Sequence, residues 1–403
     1  MRLAKRPLRR SSLIVSLFCG VGSLTAQQPI TRAQAVSAAL EHGARVFLGR
    51  ADTAQTAAAL HAAGLYPNPS FTASWSQDVP HDHLLANLPL DLPWLRSARI
   101  GAASSTHDAA RYGFALQRAT IVFDADTGYT RALAAVARAH LSRRNALDAD
   151  SVLKMAQLRH EVGDASELDV RLAEVNAGQL ANTAADDSLT AIGALLALQL
   201  AMGLPADEPT IRLVDSLTPP PDSLPSPPAE PLAVSAAAAS LKASQRAVTL
   251  AHRNAFPAPS LEAGFDQNDP GGQRGLLATF GISLTLPLFN QNGGDVAQAR
   301  AARDRAQASL DLTKREAAAA QANAYREHRA ALVRLARDQR LLASADRVAA
   351  MSLQAYAEGA VALPNVLEAQ RNAREALGRY IDDVAAANNA VATLRLVTAS
   401  VQP

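Results

Sequence analysis

Leu65-Tyr66-Pro67-Asn68-Pro69-Ser70 and Ala255-Phe256-Pro257-Ala258-Pro259-Ser260 are one phrase written twice. Further along, Gly163, Asp169-Val170, Ala173 and Asn176 recur as Gly359, Asn365-Val366, Ala369 and Asn372 at an offset of about 196. Around these markers each half repeats one order: a helix, two strands, a very long helix, a Gly-bearing turn, a helix. A fixed period of this kind decides the architecture before any single motif does. The repeat divides the chain into a first unit over 27–216, a Pro-rich linker over 217–229 and a second unit over 230–403. Seven prolines between Pro219 and Pro231 keep the linker non-helical, because proline lacks the donor and clashes with the preceding turn.

The strands follow the phrase. Phe71, Ala73 and Trp75 alternate with Thr72, Ser74 and Ser76, and Leu88, Leu90 and Leu92 with Pro89, Asp91 and Pro93. In the second half Leu261, Ala263 and Phe265 alternate with Glu262, Gly264 and Asp266, and Phe280, Ile282, Leu284 and Leu286 with Gly281, Ser283 and Thr285. A period of two with one apolar and one polar face suits a membrane barrel strand, lipid outside and water inside. The predicted turns run from Asp78 to His83 and from Asn268 to Gly272. Four strands cannot close around water, and an open strand edge is not tolerated in lipid. The chain is therefore expected to oligomerise, three copies giving about twelve strands.

The helices are long. No proline lies between Pro93 and Pro205 or between Pro287 and Pro364, and alanine supplies much of the 48% apolar content while aromatics make up only 4%. Alanine has the highest helix propensity and lets helices approach closely. Helices are predicted over about 97–160 and 292–357, each close to 100 Å long at 1.5 Å per residue. Shorter ones are predicted over 31–63, 167–202, 230–254 and 365–399, in pairs whose summed lengths approach one long helix. The fold class expected is a mainly α chain with a membrane β-barrel portion: a tandem-repeat protomer of long antiparallel helices, as a coiled coil or α-barrel wall, plus four β-strands.

The N-terminus carries Arg2, Lys5, Arg6, Arg9 and Arg10, an apolar run from Leu13 to Val21, and small residues up to Ala26. This describes a signal peptide over 1–26, cut after Ala26. Cys19, the only cysteine, lies inside it, and the preceding Leu17 and Phe18 fit a lipoprotein cysteine poorly. The mature chain then has no thiol chemistry. Of 39 basic residues, five leave with the signal, so 34 face 37 acidic ones and the formal +2 becomes −3. No basic tract remains, and nucleic acid is not an expected partner.

These features together resemble the TolC family of outer-membrane efflux proteins. Thr31-Arg32-Ala33-Gln34-Ala35-Val36 is similar to the family's opening helix. Gly64 to Pro69 and Leu286-Pro287-Leu288-Phe289-Asn290-Gln291-Asn292-Gly293-Gly294 resemble motifs flanking the barrel strands, most like the heavy-metal efflux branch. Tyr356-Ala357-Glu358-Gly359 with Asn365-Val366-Leu367-Glu368-Ala369-Gln370 resembles the family's second helical tip. The resemblance spans about 30–400. It implies a homotrimer in outer-membrane lipid with a twelve-stranded barrel and a periplasmic helical tunnel. It further implies docking on a periplasmic adaptor (membrane fusion protein) and an inner-membrane pump of RND or ABC type, passive transport, no enzyme activity and no cofactor. The substrate class implied is cations, heavy metals or drugs; a type I protein-secretion channel uses the same architecture. A periplasmic coiled-coil adaptor is the alternative from another class, but one helical hairpin within Gly-rich β domains would then be expected.

Candidate functional residues lie at the two hairpin tips. Val162, Gly163, Asp164, Ala165 and Ser166 form one turn, and Gly359, Ala360, Val361 and Ala362 the other. Glycine supplies the left-handed helix end, Ser166 a cap and Pro364 a tolerated first-turn proline. Turn chemistry accounts for these residues; the resemblance adds contact with the adaptor. The resemblance also places Asp169, Tyr356, Asn365 and Glu368 at a periplasmic gate. Val361 stands where the best-known member has an arginine and Asn365 where it has an aspartate, so the expected ion pair to Asp169 cannot form. Three copies of Glu368 around an axis would favour cations. His81-Asp82-His83 is metal-capable in type, but with no other ligand nearby the ordinary reading is a loop. There is no Walker loop, dinucleotide fingerprint, zinc-protease helix or nucleophile elbow.

Overall fold

A computed structural model describes residues 27–78, 81–221, 230–267 and 275–400. The predicted signal peptide with Cys19, the Asn268–Gly272 turn, most of the Pro-rich linker and the last three residues lie outside the described residues. In chain order the elements are β1 (Gln28–Ile30), α1 (Arg32–His42), α2 (Ala44–Gly64), β2 (Ser70–Trp75), β3 (Asp82–Pro89), α3 (Pro93–Glu161), α4 (Glu167–Ala201), β4 (Ile211–Leu213), α5 (Leu232–Arg253), β5 (Ser260–Gln267), β6 (Leu276–Ser283), α6 (Gly293–Ala357) and α7 (Leu363–Val397). The order helix, hairpin, long helix, helix thus occurs twice.

Helices α3 and α6 hold 69 and 65 residues, about 100 Å each. Helix α3 starts four residues earlier than predicted, because Pro93 occupies its first turn, where its missing donor is unneeded. The helix predicted over 31–63 is two helices. Gly43 is extended (φ −63°, ψ 132°), and a Cβ there would lie 3.3 Å from the Ala201 carbonyl oxygen at the end of α4. Gly203, at φ +79°, lies against the His42 carbonyl. Helices α1 and α2 therefore meet α4 end on, all three alongside α3. In the second half the Leu232 N–H donates to the Ala399 carbonyl at 2.8 Å, and α5 and α7 meet in the same way beside α6.

The core is a string of small clusters rather than one centre. Ile30, Tyr129, Leu133, Leu198 and Ile211 form one at mid-height. Val46 and Ile121 with Ala39 and Ala125 form another, and Leu335 and Val384 with Ala331 and Ala387 a third. Buried alanines let the helices pack closely at these levels. The mid-height cluster is fastened by β1 and β4, a parallel pair that the sequence did not suggest. Beside it Asp126, 6% exposed, pairs with Arg32 and lies 3.6 Å from Arg395.

The four long strands form one antiparallel sheet in the order β2-β3-β5-β6. The seam between the chain's halves is β3–β5. Its register sets Phe71 opposite Ala86, Ala86 opposite Ala263 and Ala263 opposite Phe280. The face carrying these residues also holds Ala73, Trp75, Leu84, Leu88, Leu261, Phe265, Leu276, Ala278 and Ile282, broken only at its ends by Asp82 and Gln267. The opposite face holds Ser70, Thr72, Ser74, His83, Asn87, Ser260, Glu262, Asp266, Thr279 and Ser283, with Leu85 and Leu277 among them. Two strands are displaced from the predicted ranges. The Asp78–His83 turn is shorter than expected, because Asp82 and His83 already pair with Trp75 and Ser74. Leu90 and Leu92 lie beyond β3, which ends as the chain turns into α3. Likewise Leu284 and Leu286 lie beyond β6, whose eight residues match the eight of β5.

Candidate functional site: the two helical tips

Two turns of one design meet at the end of the helices away from the sheet. In the α3–α4 turn Gly163 has φ +84°, and the N–H of Asp164 donates to the carbonyl of Arg159 at 2.8 Å. In the α6–α7 turn Gly359 has φ +76°, and the N–H of Ala360 donates to the carbonyl of Ala355 at 2.8 Å. Both are helix ends closed by a left-handed glycine followed by a six-to-one hydrogen bond. Val162, Asp164 and Ala165 carry the first turn, with His160 Nδ1 2.9 Å from the Ala165 carbonyl. Val361 and Ala362 carry the second, and Pro364 falls in the first turn of α7.

Ser166 caps α4 reciprocally with Asp169. The Asp169 N–H donates to Ser166 Oγ at 3.1 Å, and Asp169 Oδ2 accepts from the Ser166 N–H and hydroxyl at 3.1 and 2.8 Å. The carboxylate assigned by resemblance to the gate is thus engaged in a capping box. Glu368 is exposed on α7 and accepts from Arg371 at 2.8 Å and from Asn372 at 3.4 Å. Asn365 is exposed in the first turn of α7.

Tyr356 is 4% exposed and packs with Val152, Ala156, Ala173, Leu363 and Val366, joining both hairpins in one apolar cluster. Burial pushes its phenol above the ordinary tyrosine range; the Arg159 cation opposes the shift and the Asp169 carboxylate adds to it. Its hydroxyl is buried without a hydrogen-bond partner among the described residues. Asp169 and Tyr356 therefore lie in one neighbourhood, whereas Glu368 pairs with Arg371 on its own helix. Sequence reasoning missed Arg159. Its Nη1 donates to the Tyr356 carbonyl at 2.5 Å, and its guanidinium lies 4.8 Å from the Tyr356 ring centroid. A basic residue in a helix's last turn otherwise reads as a solvated end.

His83 does not join His81 in a ligand set. It pairs with Asp266 across the seam at 2.8 Å, while His81 stacks on Trp75 at 6.4 Å. Among the described residues no group of three or more His, Cys, Asp or Glu side chains is placed to hold a metal ion.

Residues 229–400 match the outer membrane efflux protein family. The architecture agrees along both halves. The chain superimposes on CmeC, an outer membrane channel of Campylobacter jejuni, with a TM-score of 0.78, 16% identity and coverage of 91% of this chain and 85% of that one. It superimposes on CusC with a TM-score of 0.75, 17% identity and 91% coverage of both chains. For VceC, an outer membrane protein of Vibrio cholerae, the TM-score is 0.73, with 17% identity and coverage of 91% and 95%. None of the curated protein sequences matches the chain. At these identities the superpositions show a shared fold: that of TolC-like outer-membrane channels.

Proposed function

We propose that the chain is the outer-membrane channel of a tripartite efflux system, a passive exit duct for substrate delivered by an inner-membrane pump through a periplasmic adaptor. One observation carries this: a four-stranded sheet, one face apolar and the other polar, with both edge strands unpaired among the described residues, caps helices about 100 Å long. On the apolar face Phe71, Trp75, Phe280 and Ile282 are 69–81% exposed. Water penalises that face, and lipid penalises the open edges. Closure with two further copies removes both penalties. Strand directions alternate through the sheet, so β2 of one copy can meet β6 of the next antiparallel. The twelve-stranded ring has the even strand number of bacterial barrels.

The helices support the same assembly. Helix α4 is long and apolar enough to cross a membrane, yet it stands beside α3, away from the sheet. Its exposed Leu168, Val175, Leu189 and Leu200 and the exposed Val333, Leu341, Val348 and Met351 of α6 suit contact between neighbouring copies. The reading includes removal of residues 1–26 as a signal peptide and a duplicated body, 27–216 and 230–403, joined by the linker over 217–229. The tips at Val162–Ser166 and Gly359–Ala362 dock the adaptor. The pump is of RND type and the substrates are cations, heavy metals or drugs. Expression of the full chain followed by fractionation tests the reading. The protein should enter the outer-membrane fraction and run as a trimer that heating dissociates. A detergent-independent, water-soluble monomer after signal removal would overturn it.

A further inference from the structure

A few turns from the tips, one face each of α3, α6 and α7 bounds a cavity of about 510 Å³. On α3 the lining includes residues 141, 144, 145, 148, 152 and 155, the spacing of a single helix face. The walls are mainly apolar, with Leu141 and Met155 on α3, Leu353 on α6 and Leu377 on α7. Ser151, also on the lining, donates to the Leu147 carbonyl of its own helix at 3.0 Å. The other polar side chains there are Arg144, Asn145, Asp148, Asp346, Gln370 and Arg374. None of them makes a hydrogen bond or an ion pair among the described residues. Outside the cavity, charged neighbours on these helices do pair, Lys154 with Asp150 and Arg371 with Glu368.

Asn145, Gln370 and Arg374 are half-buried, and a polar group withdrawn from water without a partner is costly. Burial lowers the Arg374 guanidinium below the ordinary arginine range; the Asp148 carboxylate opposes that shift, the Arg371 cation adds to it and Glu375 opposes it. All three side chains can donate to an anionic oxygen, and none uses its donors within the protomer. Asp148 and Asp346 bring the opposite sign to the same space. A lone anion would meet both carboxylates, and a lone cation would meet Arg144 and Arg374. A ligand matched to the whole lining therefore carries both charges on an apolar body. We propose that the cavity binds a small amphipathic zwitterion. Its carboxylate or sulfonate lies on Arg374, Asn145 and Gln370, its ammonium faces Asp148 and Asp346, and its apolar body rests against Leu141, Met155 and Leu353. Every one of these residues belongs to one protomer, so the inference goes beyond the channel reading and does not depend on it.

Three probes that share an indole body test the assignment: tryptophan with both charges, indole-3-propionate with the anion alone and tryptamine with the cation alone. Saturation-transfer nuclear magnetic resonance, titrated on the purified full-length protein in lipid nanodiscs, gives a Kd for each. Tryptophan should bind about tenfold or more tightly than either single-charge probe, because each of those forfeits charge-assisted hydrogen bonds. Arg374→Gln should weaken tryptophan about tenfold by the same loss. Arg171→Gln, whose native side chain pairs with Glu167 and Glu174 on α4, should match the wild type. Asp148→Asn, at an exposed position, should narrow the gap between tryptophan and indole-3-propionate. Tryptophan that binds no better than the single-charge probes, or that binds Arg374→Gln as tightly as the wild type, would overturn the inference. If Arg374→Gln fails to fold, an unchanged gap in Asp148→Asn would sink it equally. None of these results bears on trimer formation or membrane fractionation, by which the channel reading stands or falls.

Discussion

An arginine at Phe280 and an arginine at Thr279 should have opposite fates, although the residues are neighbours on β6. Phe280 is 81% exposed in the protomer and lies mid-strand, in the row Phe71, Ala86, Ala263, Phe280. If that row faces hydrocarbon, an arginine near mid-depth costs about 2–4 kcal/mol per chain, roughly 6–12 kcal/mol for a ring of three. That is comparable with the total stability of an ordinary folded domain, about 5–15 kcal/mol. Thr279 faces the other way, its hydroxyl donating to Asp266 Oδ2 at 3.1 Å. An arginine there would stand in water beside a carboxylate, an exchange worth about 1 kcal/mol or less. Outer-membrane fractionation, then denaturant titration after refolding into lipid vesicles, reads both effects. Phe280→Arg should lose the heat-labile trimer, and Thr279→Arg should keep it with a nearly unchanged midpoint. Equal behaviour of the two variants would refute the assignment of faces.

Of the other expectations, those on Tyr129 and the glycines are independent of the barrel, and the last concerns the pore. Tyr129 donates to the Ile30 carbonyl at 2.9 Å, and its phenol is pushed up to about 12, by burial first and then by Asp215. An unfolded tyrosine titrates near 10, so the stabilisation is complete below pH 10 and is lost as pH rises from 10 to about 12. The melting temperature of Tyr129→Phe, followed by far-ultraviolet circular dichroism, should fall less steeply over that window, and parallel curves would count against the assignment. Gly203→Ala combines φ +79° with a Cβ 2.2 Å from the His42 carbonyl oxygen. It should cost at least about 2 kcal/mol, whereas Gly178→Ala, open on all sides within α4, should stabilise by up to about 1 kcal/mol; thermal midpoints that fail to separate the two would exclude this contact as a constraint. Glu368→Gln should lower the cation-to-anion permeability ratio in bilayers, and Arg371→Gln should raise it by freeing the Glu368 carboxylate. Unchanged ratios in both would remove Glu368 from the pore lining.

Much of the fold is legible in the residues because the signals are long. Two proline-free windows bounded by Pro93 and Pro287, with Gly163 and Gly359 at their far ends, leave little alternative to two extended helices. The failures are local and physical. The predicted 31–63 helix breaks at Gly43, which turns extended where the end of α4 lies close by, a Cβ there coming within 2.3 Å of the Ala39 carbonyl oxygen and 3.3 Å of that of Ala201, and composition does not report end-on contacts. Strand ends moved because partners, not side-chain alternation, set where pairing stops: β3 stops at Pro89 although alternation runs on to Leu92. The pair β1–β4 has three residues in each strand and no period to detect. At the tips the glycines and Ser166 announced themselves by turn chemistry. Arg159 did not, because its partners are a backbone carbonyl and a ring from nearly two hundred positions away, and neither has a sequence signature.

The two free edges of the sheet differ: β2 has six residues and β6 eight. A closed ring must therefore join unlike edges head to tail, and every subunit is a link gripped from both sides. A chain damaged at one edge can still offer the intact one and enter the circle, which it then leaves unsealed. In a cell making both versions, most circles would include at least one such link. Defects in β2 or β6 should thus be genetically dominant, whereas a chain that never folds would merely be absent.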